Sequence, residues 1–123
     1  MLQVQITQIA LTETSSEHKS DAQALGQRIH AQLYFRLAAV PESERIFEQT
    51  ACFIQLLAVE PSTGRTIVLA AERRQLFPDR HEYMISMICD LPEIGRYQLL
   101  GMVLLPEVGV VEVAFGPAFR VMP

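Results

Sequence analysis

The amino-acid sequence predicts an all-β protein in which two antiparallel sheets, of about seven strands in total, pack as a sandwich. Three observations support this prediction: apolar residues recur at every second position in several segments, turns containing Pro or Gly separate these segments, and no convincing helix alternates with them. A chain of 123 residues can bury one sizeable core but not two. We therefore expect residues 1–123 to form a single domain.

Alternation is clearest in the segment Arg28–Leu37, where apolar residues occupy every second position and most residues between them are polar. A strand with one buried face and one wet face has this pattern. Tyr83–Leu91 repeats it, and the shorter segment Leu2–Thr7 shows it at the start of the chain. The polar residues 12–23 are expected to form a long surface loop.

Two further segments, Ile46–Val59 and Ile67–Leu76, are apolar enough for either a strand or a helix. Between them lies Glu60–Gly64, whose Pro and Gly are typical of a tight turn, so a hairpin of two strands is favoured. The residues Ala70–Arg74 keep a helix as the alternative.

The end of the sequence predicts two more strands, Arg96–Leu105 and Val110–Met122, joined by the turn Pro106–Gly109. The last strand contains Gly116 followed by Pro117, and a proline cannot donate a hydrogen bond to a neighbouring strand. We expect a bulge at this point, on a strand at the edge of a sheet.

The segment Glu93–Leu99 resembles the corner that leads into strand F of immunoglobulin-like domains. An acidic residue is followed two positions later by Gly95, and Tyr97 comes two positions after that. In that family the tyrosine hydroxyl bonds back to the backbone of the preceding turn, and Tyr97 would hold this place. The resemblance covers residues 81–123 and implies an immunoglobulin-like sandwich.

Two departures separate the chain from antibody domains. Leu99 stands where those domains carry the second cysteine of the inter-sheet disulfide, and the sequence contains no tryptophan for the core of strand C. The sequence is therefore similar to the fibronectin-like and bacterial immunoglobulin-like groups.

Charge and hydropathy narrow the classes of partner. The formal net charge is −4 and the pI is about 5.3, so no general positive field attracts nucleic acid or anionic lipid. No stretch reaches the ~18 consecutive apolar residues of a membrane helix, and the first residues do not resemble a signal peptide. We expect a cytoplasmic protein that binds neither nucleic acid nor membranes.

Cys52 and Cys89 each lie inside an apolar run. Buried, reduced thiols are the interpretation we favour, and a disulfide between neighbouring strands is the alternative. Neither cysteine has a histidine close by in the sequence, so no zinc-binding spacing is recognisable.

Candidate catalytic residues are few. The segment Asp79–Glu82 offers carboxylates and an imidazole for acid–base chemistry, but no nucleophile lies nearby, so a solvated turn is favoured. His18, His30 and His81 lack the local spacing of a metal-binding pair. We predict no enzymatic activity, no cofactor and no metal site.

Four arginines are a candidate anion-binding patch, because they fall in the second hairpin strand or in the loop after it. Separately solvated side chains are the favoured interpretation of these residues. They are Arg65, Arg73, Arg74 and Arg80.

The strongest functional signal comes from Arg96–Leu105 and Ala51–Val59, which are apolar on both faces. In an immunoglobulin-like topology these are strands F and C, neighbours in one sheet, with the last strand beside F. An antiparallel sheet normally turns a polar face to water, so their outward side chains predict a protein interface. The predicted interface residues are Ile54, Leu56, Leu100, Met102 and Leu104.

This interface predicts a non-enzymatic protein–protein interaction module that forms a homodimer or serves as a subunit of a cytoplasmic assembly. Hydrophobicity does not decide which face of Ala51–Val59 points outwards, and another segment of the chain could cover the patch. The alternative function is a sandwich that binds a small apolar ligand between its sheets or beneath residues 12–23.

Overall fold

The described residues form eight β-strands and no helix in a computed structural model of the chain. These residues are 3–13, 22–24, 28–38, 51–77, 80–90, 93–106 and 109–122. The strands are β1 (Gln3–Glu13), β2 (Ala22–Ala24), β3 (Arg28–Ala38), β4 (Ala51–Val59), β5 (Thr66–Gln75), β6 (Glu82–Asp90), β7 (Gly95–Leu105) and β8 (Val110–Met122).

The strands form two sheets that enclose one core. The three-stranded sheet has the order β1-β3-β6, and the five-stranded sheet has the order β2-β8-β7-β4-β5. The all-β, two-sheet antiparallel sandwich predicted from the sequence is confirmed. The predicted placing of β7 between β4 and β8 is confirmed as well.

The short strand β2 departs from two expectations. It runs parallel to residues 120–122 of β8, whereas the sequence predicts antiparallel pairing throughout. Both β2 and the end of β1 at Glu13 also overlap the segment 12–23 that is expected to be a loop. Three residues are too few to show the alternation that identifies the longer strands. Residues 14–21 of that expected loop lie outside the described residues.

β4 and β5 form the hairpin that the turn Glu60–Gly64 predicts. The amide of Gly64 donates to the carbonyl of Glu60 (2.7 Å), and the Thr63 hydroxyl donates to the Glu60 carboxylate (2.7 Å). Gly64 has a positive φ of 74°, a conformation that costs a glycine little. Strands rather than helices are confirmed on both sides of the turn, and residues 46–50 lie outside the described part of the chain.

A bulge interrupts the pairing of β8 with β7. Leu99 of β7 lies opposite two residues of β8, Gly116 and Pro117, at a shift in register. The side-chain amide of Gln98 donates to the carbonyl of Gly116 (2.7 Å) and so secures the bulge. The bulge predicted at these residues is confirmed, but the predicted edge position of the strand is wrong, because β2 pairs with residues 120–122 of β8 on its other side.

Among the described residues, each sheet contributes an aromatic stack to the core. Phe35 and Tyr83 stack in the three-stranded sheet with ring centroids 5.0 Å apart, and Tyr97 and Phe119 stack in the five-stranded sheet at 5.5 Å. The Tyr83 hydroxyl also accepts a hydrogen bond from the amide of Phe77 (3.0 Å). That bond fixes the crossing of the chain from β5 in one sheet to β6 in the other.

The corner before β7 is built around Tyr97. Its ring is buried, and its hydroxyl donates to the backbone carbonyl of Glu93 (2.7 Å), which is the bond that the family resemblance implies. A Cβ atom on Gly95 would lie 3.3 Å from the Tyr97 hydroxyl oxygen, so a larger residue there would press on the ring. The tyrosine thereby fixes where β7 begins.

We expect Tyr97→Phe to lower the free energy of unfolding by roughly 1 kcal/mol, because it removes this partly buried hydrogen bond. The matched control is Tyr34→Phe, which removes a side-chain bond to Gln32 on the outer face of the other sheet and should change stability by less than about 0.5 kcal/mol. Urea denaturation of the three proteins measures both effects. Equal losses for the two variants would contradict a special role for the corner.

Cys52 and Cys89 are free and fully buried, which confirms the interpretation as reduced thiols in the core. Burial raises the pKa of each thiol from 9.0 to about 11. The nearby carboxylates of Asp90 and Glu72 add to the rise in the pKa of Cys89. Both thiols therefore keep their protons at neutral pH and are poor nucleophiles.

These pKa values predict a loss of stability between pH 9 and 11. In this range the thiols of the unfolded chain ionise near pH 9.0, whereas the buried thiols hold their protons until about 11. The native state then binds more protons than the unfolded state, so stability falls as pH rises, by at most about 1.4 kcal/mol per pH unit for each thiol. Urea denaturation at about pH 8 and pH 10.5 should show a smaller fall for Cys52→Ala/Cys89→Ala than for the unaltered chain. An equal fall in stability for the variant and the unaltered chain would show that groups other than the two thiols cause it.

Candidate functional site

The outer face of the five-stranded sheet is the candidate functional site. The odd-numbered residues of Tyr97–Leu105 are buried in the core, so the even-numbered residues of β7 point away from it. Leu100, Met102 and Leu104 therefore lie on the outer face, where their side chains are partly exposed. The structure brings these three of the predicted interface residues together on one surface.

Ile54 and Leu56 do not lie on that surface, and their assignment to the interface is wrong. Both side chains are 0% exposed. Ile54 pairs with Val103 and Leu56 with Gly101, and directly opposite residues share one face of a sheet. Because β7 buries that face, the alternate residues of β4 must point outwards. They are Phe53, Gln55, Leu57 and Val59.

Cross-strand pairing makes the outer face continuous over four strands. Each of the outward residues Leu100, Met102 and Leu104 lies between one residue of β4 and one of β8. The rows are Leu57–Leu100–Phe115, Gln55–Met102–Val113 and Phe53–Leu104–Val111. Val68 and Ala71 of β5 extend the first two rows. We name this surface the apolar face, and its residues are Phe53, Leu57, Val59, Val68, Ala71, Leu100, Met102, Leu104, Val111, Val113 and Phe115.

The apolar face is open to solvent in the isolated chain. Phe115 is the most exposed of its side chains, at 70%. Several other large hydrophobic side chains on the face are well exposed, namely Phe53, Val68, Val111 and Val113. No segment among the described residues covers them, so this side of the sheet offers a hydrophobic surface to another molecule.

The outer face of the three-stranded sheet is polar by contrast. Arg36 pairs with Glu82 there (3.3 Å), and the Tyr34 hydroxyl donates to Gln32 (3.0 Å). The exposed large hydrophobic side chains on that face are Met84 and Ile88. One sheet thus shows the polar outer face that is usual for an antiparallel sheet, and the other does not.

The charged residues on the outer face of the five-stranded sheet are arginines. Arg73 lies over the ring of Phe53, 5.7 Å from its centroid. Arg96 and Arg120 occupy directly opposite positions on β7 and β8. No carboxylate occupies an outward position on the described strands of this sheet. Sequence reasoning missed the pair Arg96–Arg120 because only the register of two distant strands reveals it.

The four arginines considered as one anion-binding patch do not lie together. Arg65 forms ion pairs with Glu60 and Glu93, both at 3.5 Å. Arg74 pairs with Glu72 on the edge strand. The other two lie over separate aromatic rings, Arg73 over that of Phe53 and Arg80 over that of Tyr83.

The acid–base candidate Asp79–Glu82 is partly described. Glu82 forms the ion pair with Arg36, and the carbonyl of His81 accepts a hydrogen bond from the amide of Leu37 (2.8 Å). Asp79 lies outside the described residues. The described part of the segment therefore serves the pairing of β3 with β6.

Metal-ligating side chains do not cluster in the described part of the chain, where no group of three or more His, Cys, Asp or Glu could share an ion. His18 of the dispersed histidines lies outside that part. The described residues also contain no helix long and apolar enough to cross a membrane.

No protein-family model and no curated protein matches the sequence. The fold is nevertheless similar to solved structures. The CARDB domain of the PF1109 protein from Pyrococcus furiosus, solved in complex with di-metal ions, has a TM-score of 0.57 and 15% identity over 99% of this chain and 88% of that one. A Niemann-Pick type C2 protein from the Japanese carpenter ant has a TM-score of 0.55 and 8% identity over 95% of this chain and 91% of that one.

These similarities show the fold, which is the immunoglobulin-like sandwich that the Tyr97 corner implies. At such low sequence identity they say nothing about which molecule this chain binds.

The exposed apolar face predicts binding of Nile red, an uncharged dye that fluoresces on hydrophobic surfaces. Met102→Gln/Phe115→Ser, called the face variant below, should lower the dye fluorescence roughly twofold or more. The matched control variant, Met84→Gln/Ile88→Ser, makes similar changes on the other sheet and should lower it little. Circular dichroism checks that both variants fold. Equal fluorescence from the two variants would show that the dye does not bind the apolar face.

Proposed function

We propose that this chain is a non-enzymatic protein-binding module whose apolar face docks a protein partner. The observation that supports the proposal is the continuity of the apolar face across β8, β7, β4 and β5. The largest contiguous apolar patch on a soluble protein is often functional, and a patch rimmed by polar residues is typical of a site that binds a protein.

The dimensions of the apolar face suit a protein partner. Neighbouring strands lie about 4.8 Å apart, and rows of outward residues lie about 6.7 Å apart. The apolar face therefore has an area of roughly 400–500 Å². A stable protein interface buries about 800 Å² on each partner, with an apolar centre and a polar rim. The apolar face therefore matches the centre of an interface of ordinary size.

The position of the apolar surface favours a protein over a small ligand. A small apolar ligand is held where most of its surface can be buried, in a cleft or between the sheets. The inward side chains of β4 and β7 are instead packed into one core with those of the other sheet. The unsatisfied apolar surface lies outside the sandwich on a broad sheet, which a second folded surface can cover.

A cytoplasmic location is part of the proposal. Cys52 and Cys89 are both free. Reduced thiols are typical of the cytosol, whereas secreted domains of this size commonly carry disulfides.

Site-specific photo-cross-linking tests the proposal directly. Val113 on the apolar face and Met84 on the other sheet are equally exposed, at 48% each. With a photoreactive amino acid at either position in the native host, we expect a cross-linked polypeptide from position 113 and little or none from position 84. Combining the position-113 cross-linker with the substitution Met102→Gln should weaken the product, because a central apolar contact is lost.

The mass of the product identifies the partner. A product of about twice 13.8 kDa that contains this chain alone identifies a second copy, whereas a product containing another polypeptide identifies a different protein. Equal cross-linking from positions 113 and 84, or none from position 113, would refute docking on the apolar face.

A further inference from the structure

Arg96 and Arg120 lie side by side at one end of the apolar face. Their inward neighbours Tyr97 and Phe119 are stacked in the core, so both arginines must point outwards on the same side of the sheet. Directly opposite residues of two antiparallel strands have Cβ atoms about 5 Å apart. The two guanidinium groups are therefore close enough to bind one anion together.

This arrangement is unfavourable in the isolated chain. Two like charges directly opposite each other destabilise a sheet. Neither arginine forms an ion pair among the described residues, and the turn carboxylates of Glu60 and Glu93 are bonded to Arg65. Among the described residues, the charge of the pair is thus left without a carboxylate partner.

The two arginines border an open depression in the surface. The depression has a volume of about 430 Å³, and Pro61, Gln98 and Ala118 also line it. One N–H of the Gln98 side-chain amide is bonded to Gly116, and the charged donors that border the depression are the two guanidinium groups. A guanidinium group binds a carboxylate with two parallel hydrogen bonds.

The pair is within reach of whatever covers the apolar face. Gln98 lies between Arg96 and Leu100 along β7, and each step of two residues spans about 6.7 Å. A partner seated on Leu100 and Phe115 would therefore extend over the arginines with a surface only about 13 Å longer.

We infer that Arg96 and Arg120 bind an Asp or Glu carboxylate on the partner that docks on the apolar face. The inference rests on the proposed function and names the chemistry of the partner, a different protein whose apolar surface is bordered by acidic residues. A second copy fits this description less well, because the described strands of the face hold no outward carboxylate for the arginines.

Selection from a displayed library of random peptides tests the inference without a known partner. Three baits are compared: the unaltered chain, the face variant, and an arginine variant, Arg96→Gln/Arg120→Gln. The unaltered chain should select peptides rich in both apolar and acidic residues. The arginine variant should select apolar peptides without acidic enrichment, and the face variant should select neither class.

Affinity measurements on one selected peptide complete the test. Replacing its Glu by Gln should weaken binding to the unaltered chain roughly fivefold and should leave binding to the arginine variant unchanged. The preference for Glu should shrink at about 0.5 M NaCl. Arg96→Lys/Arg120→Lys keeps both charges but loses the paired hydrogen bonds, so it should retain only part of the preference.

The outcomes separate this inference from the proposed function. Apolar peptides selected without acidic enrichment would overturn the carboxylate site and leave the docking face in place. If the face variant selects the same peptides as the unaltered chain, the proposed docking on the apolar face is itself overturned. The inference would also be overturned if the unaltered chain self-associates and the face variant does not, because the occupant would then be a second copy. Sedimentation with phosphatidylglycerol vesicles that depends on the two arginines would overturn it as well, because the occupant would then be a membrane.

Discussion

Burial of Tyr97 determines which residues of β7 face the core, and pairing with β7 determines the same for its neighbours in the five-stranded sheet. Its ring stacks on Phe119 in the core, and its hydroxyl is bonded to the backbone of Glu93. Side chains alternate along a strand, so the even-numbered residues of β7 must point outwards. β4 and β8 pair with β7 on either side, and residues directly opposite each other share one face of the sheet. The outward residues of β4 and β8 are therefore fixed by those of β7. The apolar face and the arginine pair are consequences of this anchored side chain.

The edge of the same sheet is protected, although its face is not. β5 is the last strand on one side, and an exposed edge can pair with strands of other chains. Glu72, Arg73 and Arg74 place charges along it. Glu72 lies opposite the buried Ile54, on the core side of the sheet, and pairs with Arg74. Charges therefore disfavour strand pairing at this edge, while the apolar face beside it stays exposed.

Features with a local signal were predictable from the sequence, whereas the docking surface was only partly so. The hairpin turn, the bulge in β8 and the corner at Tyr97 each depend on residues close together in the chain. β4 is apolar at nearly every position, so alternation could not show that Ile54 faces the core and Phe53 the solvent. Pairing with β7 decides this. The juxtaposition of Arg96 and Arg120 depends equally on a register between distant segments.

Apolar contact and charge have different roles in the proposed docking. Burial of apolar surface is non-directional, so by itself it discriminates poorly among partners. Arg73 and the pair Arg96–Arg120 lie at diagonally opposite corners of the face and distinguish its ends. A partner without carboxylates at matching positions would desolvate guanidinium groups and leave them unpaired, which costs free energy. Affinity would then come mainly from the apolar face, whereas the arginines would determine the orientation and the choice of partner. The net charge of −4 of the whole chain otherwise disfavours acidic partners.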